Sequence, residues 1–309
     1  MRAFVLLLIA HPRITALLAA FALSFSGILY RLSETSPETG SFFRCLYGLP
    51  ILLAAAWFER RELGPLPRRS VYLAAVAGVL FAVDLVFWHH AVDAVGAGLA
   101  TVLGNLSVVI VGIGAWLLFG ERPSTRTVLA LPLVLAGIVL ISGVLTANSY
   151  GADPALGVGL GIVAAFAYAF YLLLIRQVGR RRAGEPVAIS TTATLAVSLL
   201  AGLGLGSLDF TPTWPAHMWL MLLGVSAQSA GYLLISISLP RLPAVVTSII
   251  LLAQPVLAVI FSILLVQETP SVGQFLGVTL LLGGIALATL PLGKRQKERT
   301  RPDVEARPA

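Results

Sequence analysis

The sequence predicts an all-α integral membrane protein: ten transmembrane helices arranged as two inverted five-helix repeats. Three observations predict it: the share of apolar residues, the placement of the basic ones, and an internal repeat. Of 309 residues, 58% are hydrophobic and only 11% charged, against roughly 25% charged in a soluble domain. Mean hydropathy is +0.92. A soluble globule of this size cannot hide so much apolar surface. A soluble enzyme, a disordered chain and a nucleic-acid-binding domain are excluded as classes. The net charge of +7 does not reverse this, because the basic residues sit in short runs between apolar blocks, as in membrane proteins. No nucleic-acid partner is expected. Cysteine occurs once, at Cys45, so there is no intrachain disulfide and no cluster of thiolate ligands.

A bilayer core about 30 Å thick needs about 20 apolar residues of helix. Ten segments meet that requirement: 14–32, 41–58, 71–92, 97–119, 127–146, 155–175, 187–208, 215–237, 244–266 and 272–292. The gaps hold helix stops such as Ser36-Pro37, Gly64-Pro65, Arg122-Pro123, Asp153-Pro154, Glu185-Pro186, Thr211-Pro212 and Thr269-Pro270. Continuous helices are expected, because backbone left unpaired in lipid costs several kcal/mol per group. The apolar runs do not alternate, which argues against a β-barrel. Residues 1–13 read as an interfacial, cytoplasmic start and residues 293–309 as a basic cytoplasmic tail near anionic lipid.

Ten spans put both termini and every second loop on one side. Of the 21 Lys and Arg, only Arg31 falls on the other side and only Arg44 within a span. The rest lie in the first segment, in the loops holding Arg60–Arg69, Arg122–Arg126, Arg176–Arg182 and Arg241, and in the tail. A wrong span count would scramble the sides downstream of the error. The rich side is expected to be the cytoplasm, which places both termini there and the chain in the cytoplasmic membrane.

Shifted by 147 positions, the second part of each half aligns without a gap. Glu121-Arg122-Pro123-Ser124 meets Glu268-Thr269-Pro270-Ser271, and Leu133, Leu135, Gly137, Ile138 and Leu140 meet Leu280, Leu282, Gly284, Ile285 and Leu287. Five spans per half is an odd number, so the second copy (155–292) enters the membrane upside down relative to the first (14–146). Two copies of opposite orientation are the build of many secondary transporters. Exchanging conformations between them opens the centre to one side and then the other. The expectation is alternating access for a small-molecule substrate, with no cofactor.

At this point the sequence resembles the drug/metabolite transporter superfamily, in its ten-span family with two EamA domains. The carrying residues are Ser41-Phe42-Phe43-Arg44 in the second span, and Ala100-Thr101 through Gly120-Glu121-Arg122-Pro123 in the fourth. In the second copy they are Leu252-Ala253-Gln254-Pro255-Val256 through Gln267-Glu268, followed by Gly277 and Gly283-Gly284. The resemblance covers roughly 14–292. It implies movement of metabolites across the cytoplasmic membrane, often export, with the fifth and tenth spans as outer supports. The family often has a proline at the centre of the fourth span, where this chain has Val108, so a proline kink is expected only at Pro255.

Ionisable groups in hydrocarbon are expensive, so those present need partners or functions. Asp84 lies about 20 Å from the cytoplasmic end of the third span, at 1.5 Å per residue. Two readings stand side by side: Asp84 as a site for a coupling proton or a substrate amine, or a structural pair with Arg44, whose long side chain reaches toward it. Asn105, Tyr168, Gln228 and Gln254 fall at one depth on four spans, as a central site between repeats requires, although each also suits helix-to-helix bonding. Trp88, one turn from Asp84, could stack on a flat solute or anchor at an interface, as Trp57, Trp116 and Trp214 are expected to do. His89 and His90 adjoin Asp93, and neighbouring positions on a helix diverge by about 100°, so they do not chelate together. The GxxxG pairs Gly157/Gly161, Gly202/Gly206 and Gly273/Gly277 are expected to pack inside a monomer or weak homodimer. Glu121 and Glu268 read as loop or cap residues.

No phosphate-binding G-x-x-x-x-G-K-[ST] loop is present, so uphill movement is expected to draw on an ion or solute gradient, or on a partner. The rival classes are an integral-membrane enzyme acting on a lipid-linked substrate and a non-transporting scaffold. The loop acids on the external side are scattered one or two per loop, which weighs against the enzyme.

Overall fold

The computed structural model describes residues 8, 10–107, 109–110, 125–141, 145, 150–178, 182–238 and 244–289. Among them all regular structure is helical. In chain order the helices are α1 (Pro12–Ser33), α2 (Pro37–Leu63), α3 (Arg68–Val95), α4 (Ala97–Gly104), α5 (Thr125–Ile141), α6 (Pro154–Val178), α7 (Gly184–Leu205), α8 (Trp214–Ser238), α9 (Ala244–Val266) and α10 (Val272–Thr289). Six of them, α1, α2, α3, α6, α7 and α8, are long and apolar enough to cross a membrane. Val128–Ile141, Ala253–Val266 and Val272–Leu287 are shorter apolar stretches. The expected Pro kink site at Pro255 lies inside a helix that continues through it, whereas Val108 falls outside the described residues.

Local chemistry explains the boundaries. Helix α2 starts where Ser36 caps the Thr39 N–H at 3.3 Å and Pro37 takes the first turn, with Glu38 beside it. It ends with Arg60 and Arg61 in its last turn, where cations suit the helix dipole. It therefore runs several residues beyond the apolar stretch 41–58, because polar end turns continue the helix into the interface. Large apolar side chains cover the outside: Leu135 is 61% exposed, Leu200 69% and Leu264 62%. Lipid takes the place of water around such a surface.

The helices pair across the chain's midpoint. Helix α3 packs along α6, α1 against α8, α2 along α7, α4 against α9 and α5 along α10. Helices α2 and α7 run antiparallel, with Ala55 against Gly184 and Glu38 against Gly202. Helices α5 and α10 also run antiparallel, with Ile141 against Gly277 and Ala130 against Gly284. The α2–α7 pair is tied at both ends. At one, Glu59 accepts the Ala183, Gly184 and Glu185 N–H groups, each at 2.8 Å, while Arg182 donates to the Leu63 and Gly64 carbonyls. At the other, Ser36 and Thr39 donate to the Ser207 carbonyl. Gly157 and Gly161 pack on Val95 and Leu103, inside the chain as expected.

Three helices depart from the regular, continuous ones expected. Helix α1 is interrupted at Phe25, α8 contains a π-helical stretch from Gly224 to Gly231, and α4 breaks after Gly104. At the α4 break the Asn105 N–H bonds to the Val102 carbonyl, three residues back, instead of Thr101. The Asn105 side chain fills the gap, donating Nδ2–H to the Thr101 carbonyl at 2.9 Å. Satisfying backbone by a side chain is what permits a break at membrane depth. All three interruptions border one cavity.

Candidate substrate cavity

The cavity has a volume of about 160 Å³, about what an engineered cavity of roughly 150 Å³ needs to take a benzene-sized guest. Six of the seven residues singled out from the sequence line it: Arg44, Asp84, Trp88, Asn105, Tyr168 and Gln254. They come from α2, α3, the α4 break, α6 and α9, so both halves of the chain contribute. The seventh, Gln228, stands behind Arg44. It accepts the Arg44 Nε–H at 3.0 Å through Oε1 and donates Nε2–H to Thr191 at 2.9 Å.

Arg44 is buried, 3% exposed. Besides Gln228, it donates from Nη1 to the Ser26 hydroxyl at 3.0 Å, beside the α1 interruption. The guanidinium is thus held by two neutral groups from the first and eighth helices, and not by a carboxylate. Of the two readings of Asp84, a direct ion pair with Arg44 is not what the side chains make: no contact within 4.0 Å joins them, although the two charges still interact across the cavity. Asp84 is 9% exposed. Its carboxyl has no hydrogen-bond or ion-pair partner among the described residues and faces the cavity. A cation and an anion thus line the same small space without neutralising each other through contact.

Aromatic rings complete the wall. Trp88 is buried in the cavity, whereas Trp57 and Trp214 are 48% and 71% exposed, in keeping with interfacial anchors. Trp116 falls outside the described residues. Tyr168 stacks on Tyr171 at 5.7 Å between centroids, and Phe81 stacks on Tyr171 at 4.6 Å. Tyr232 meets Phe81 edge-on and itself lines the cavity.

Ser26, Thr101, Ser107 and Tyr232 also line the cavity and were not legible in the sequence. A hydroxyl in a helix commonly bonds its own backbone, as Thr101 does with the Ala97 carbonyl at 2.7 Å, so its presence signals little. The two histidines diverge as the helix geometry requires. His89 is fully buried, stacked on Tyr30 at 4.0 Å and bonded through Nδ1 to Ser41 at 2.8 Å. It packs in the core. His90 turns to Glu38 at 3.2 Å.

The EamA-like transporter family matches this chain twice, over residues 13–143 and 155–290. An uncharacterized protein of Pseudomonas aeruginosa, PA1977, is 29% identical over 289 residues, covering 91% of this chain and 96% of its own length. An uncharacterized transporter of Synechocystis, sll1319, is 27% identical over 269 residues, covering 85% of this chain and 79% of its own. YdfC, an uncharacterized transporter of Bacillus subtilis, is 24% identical over 295 residues, covering 94% and 93%. A solved crystal structure shares the fold, with a TM-score of 0.62 at 19% identity over 90% of this chain and 98% of that one. Twofold coverage of nearly the whole helical region, carried on a multi-pass membrane fold, makes the chain a member of the EamA-like transporter family.

Proposed function

We propose that the protein is a secondary transporter that exports small zwitterionic, amino-acid-like solutes across the cytoplasmic membrane by alternating access between two inverted five-helix repeats. The observation that carries the substrate class is the separation of Arg44 from Asp84 in one cavity. A solute with a carboxylate and an ammonium offers each group its missing partner at once. Charge-assisted hydrogen bonds of this kind are about twice as strong as neutral ones, and the low dielectric that makes either charge costly alone strengthens the completed set. Trp88 and Tyr168 supply stacking faces for a flat side chain. Asn105 and Gln254 supply neutral hydrogen bonds, and Gln228 holds Arg44 in place.

The antiparallel contacts of α2 with α7 and of α5 with α10 support the inverted arrangement. The charge distribution supports cytoplasmic termini. Export, not import, is the direction the sequence resemblance favours. A second reading is favoured by the unpartnered carboxyl: Asp84 takes the coupling proton, and the solute amine replaces it in turn.

The test is flux in proteoliposomes with three probes of matched side chain: an amino acid, its decarboxylated amine and its deaminated acid. The zwitterion should be carried at least tenfold faster than either truncated probe. Asp84→Asn should abolish that preference and flatten the pH dependence. Equal flux of all three, with Asp84→Asn folded and fully active, would return Asp84 to a structural role. The enzyme alternative predicts chemical conversion in detergent, where no gradient exists.

A further inference from the structure

Glu268 lies between the end of α9 and α10, 1% exposed, yet no sequence signal gave it more than a capping role. Its partners are not on its own helix. Oε1 accepts the Ala97 N–H at 2.6 Å and Oε2 the Gly98 N–H at 3.1 Å. These are donors left free at the first turn of α4. Arg31, near the end of α1, donates Nη1–H to Oε1 at 3.1 Å. Helices α1 and α4 belong to the first family match, and Glu268 to the second. The contact therefore spans the two halves.

The backbone is shaped for it. Gly96 turns with φ +97, and a side chain there would strike the Glu268 carboxyl. Gln267 holds a left-handed φ of 54, which turns the chain after α9, and the Glu268 N–H returns to the Ser262 carbonyl at 3.2 Å. A second clasp stands beside it. The Tyr150 ring lies 5.9 Å from the Arg31 guanidinium carbon, and the Tyr150 N–H and carbonyl both bond the Gln274 side chain at 2.8 Å. Burial and the nearby Glu268 charge hold the Tyr150 phenol above its usual pKa, so it stays neutral.

The cavity begins one turn below. Thr101, whose hydroxyl donates to the Ala97 carbonyl, is a lining residue. At the opposite end the lining reaches Ile235, within a turn of where α8 finishes. Glu268 and Arg31 thus sit beyond one end of the lining, which runs on toward the other.

We propose that Glu268 is the latch of the external gate: its hold on α4 and Arg31 shuts the cavity from outside, and its release opens it. This rests on the transport reading above for what passes, and on its topology for which end is external. In a Cys45→Ala background, Thr101→Cys reports access to the cavity. A membrane-impermeant maleimide is applied to intact cells and, separately, to inverted membrane vesicles. Glu268→Gln should raise labelling in cells at least tenfold, and Glu268→Asp by less. Arg31→Gln, at a partly exposed position, should raise it severalfold and decides the matter if Glu268→Gln does not fold. Unchanged labelling in cells for both, or a rise confined to inverted vesicles, overturns the proposal. Flux of the zwitterionic probe through the wild-type protein separates the two claims. Flux without a labelling response sinks the latch alone, and a labelling response without flux sinks the transport reading alone.

Discussion

Gly137 and Gly284, equivalent positions of the two halves, make the same contact from opposite sides. A Cβ at Gly137 would meet the backbone of Gly277 and Leu281, and one at Gly284 would meet Val134 and the backbone of Ala130. Under the 147-residue shift Ala130 becomes Gly277 and Val134 becomes Leu281, so the interface maps onto itself when the halves are exchanged. Backbones approach closely here because no side chain stands between them, the usual reason for small residues between membrane helices.

That self-matching seam predicts matched costs. Gly137→Leu and Gly284→Leu should each destabilise by about 1–3 kcal/mol through overpacking, read as a lowered midpoint of thermal unfolding in detergent. The double variant should cost less than the sum, because the two sites share neighbours. Flux per folded molecule should stay within about twofold if α5 and α10 are supports. Additive losses, or flux lost while folding holds, would remove that role.

Gln228 predicts a positioning effect. Gln228→Leu strips Arg44 Nε and Thr191 of their partner, and an unpaired buried polar group costs about 1–3 kcal/mol. The expected outcome is a raised KM for the zwitterionic probe with kcat changed less, because the guanidinium loses its fixed direction and not its charge. Gln228→Glu should not restore the affinity, because its carboxylate, placed on Arg44 Nε, neutralises the guanidinium and repels the solute carboxylate. A change in kcat alone, with KM unmoved, would place Gln228 outside substrate positioning.

Trp88 provides an optical reading of occupancy. It is buried against the cavity, while Trp57 and Trp214 face outward. Tryptophan fluorescence should shift saturably with the zwitterionic probe, and Trp88→Phe should remove the saturable part while leaving the lipid-facing signal. If the shift persists in Trp88→Phe, the solute does not reach this wall.

The all-helical, membrane-spanning character was legible in the sequence because transfer into lipid acts residue by residue, and Asp84 and Arg44 stood out because a charge in an apolar segment is costly wherever it goes. What was hidden are relationships. Nothing local says that Arg44 would turn to Gln228 and Ser26, 184 and 18 positions away, rather than to Asp84. Glu268 reads as a loop or cap residue, and the helix whose N–H groups it accepts lies 170 positions back. The interruptions at Phe25 and Asn105 and the π-helical stretch Gly224–Gly231 depart from the regular α-helices expected, and at Asn105 a side-chain bond replaces the backbone one that sequence periodicity presumes. A break needs no proline: α4 breaks after Gly104.

The α4 break predicts that Asn105 matters more for flux than for stability. In Asn105→Ala the Thr101 carbonyl loses the Nδ2–H that satisfies it, but the residue-105 N–H can return to that carbonyl and restore a regular turn. The stability cost is then small, about 1 kcal/mol, near the net value of one hydrogen bond. The cavity, however, loses both its polar lining at this point and the local bend that shapes it, so flux of the zwitterionic probe should fall at least tenfold. Asn105→Asp keeps the shape but brings an acceptor against the Thr101 carbonyl, so it should be the less stable variant of the two. Thermal unfolding and proteoliposome flux on the same preparations check both halves of this. Wild-type flux in a well-folded Asn105→Ala protein would mean that the interruption of α4 is a packing accident and not part of the path.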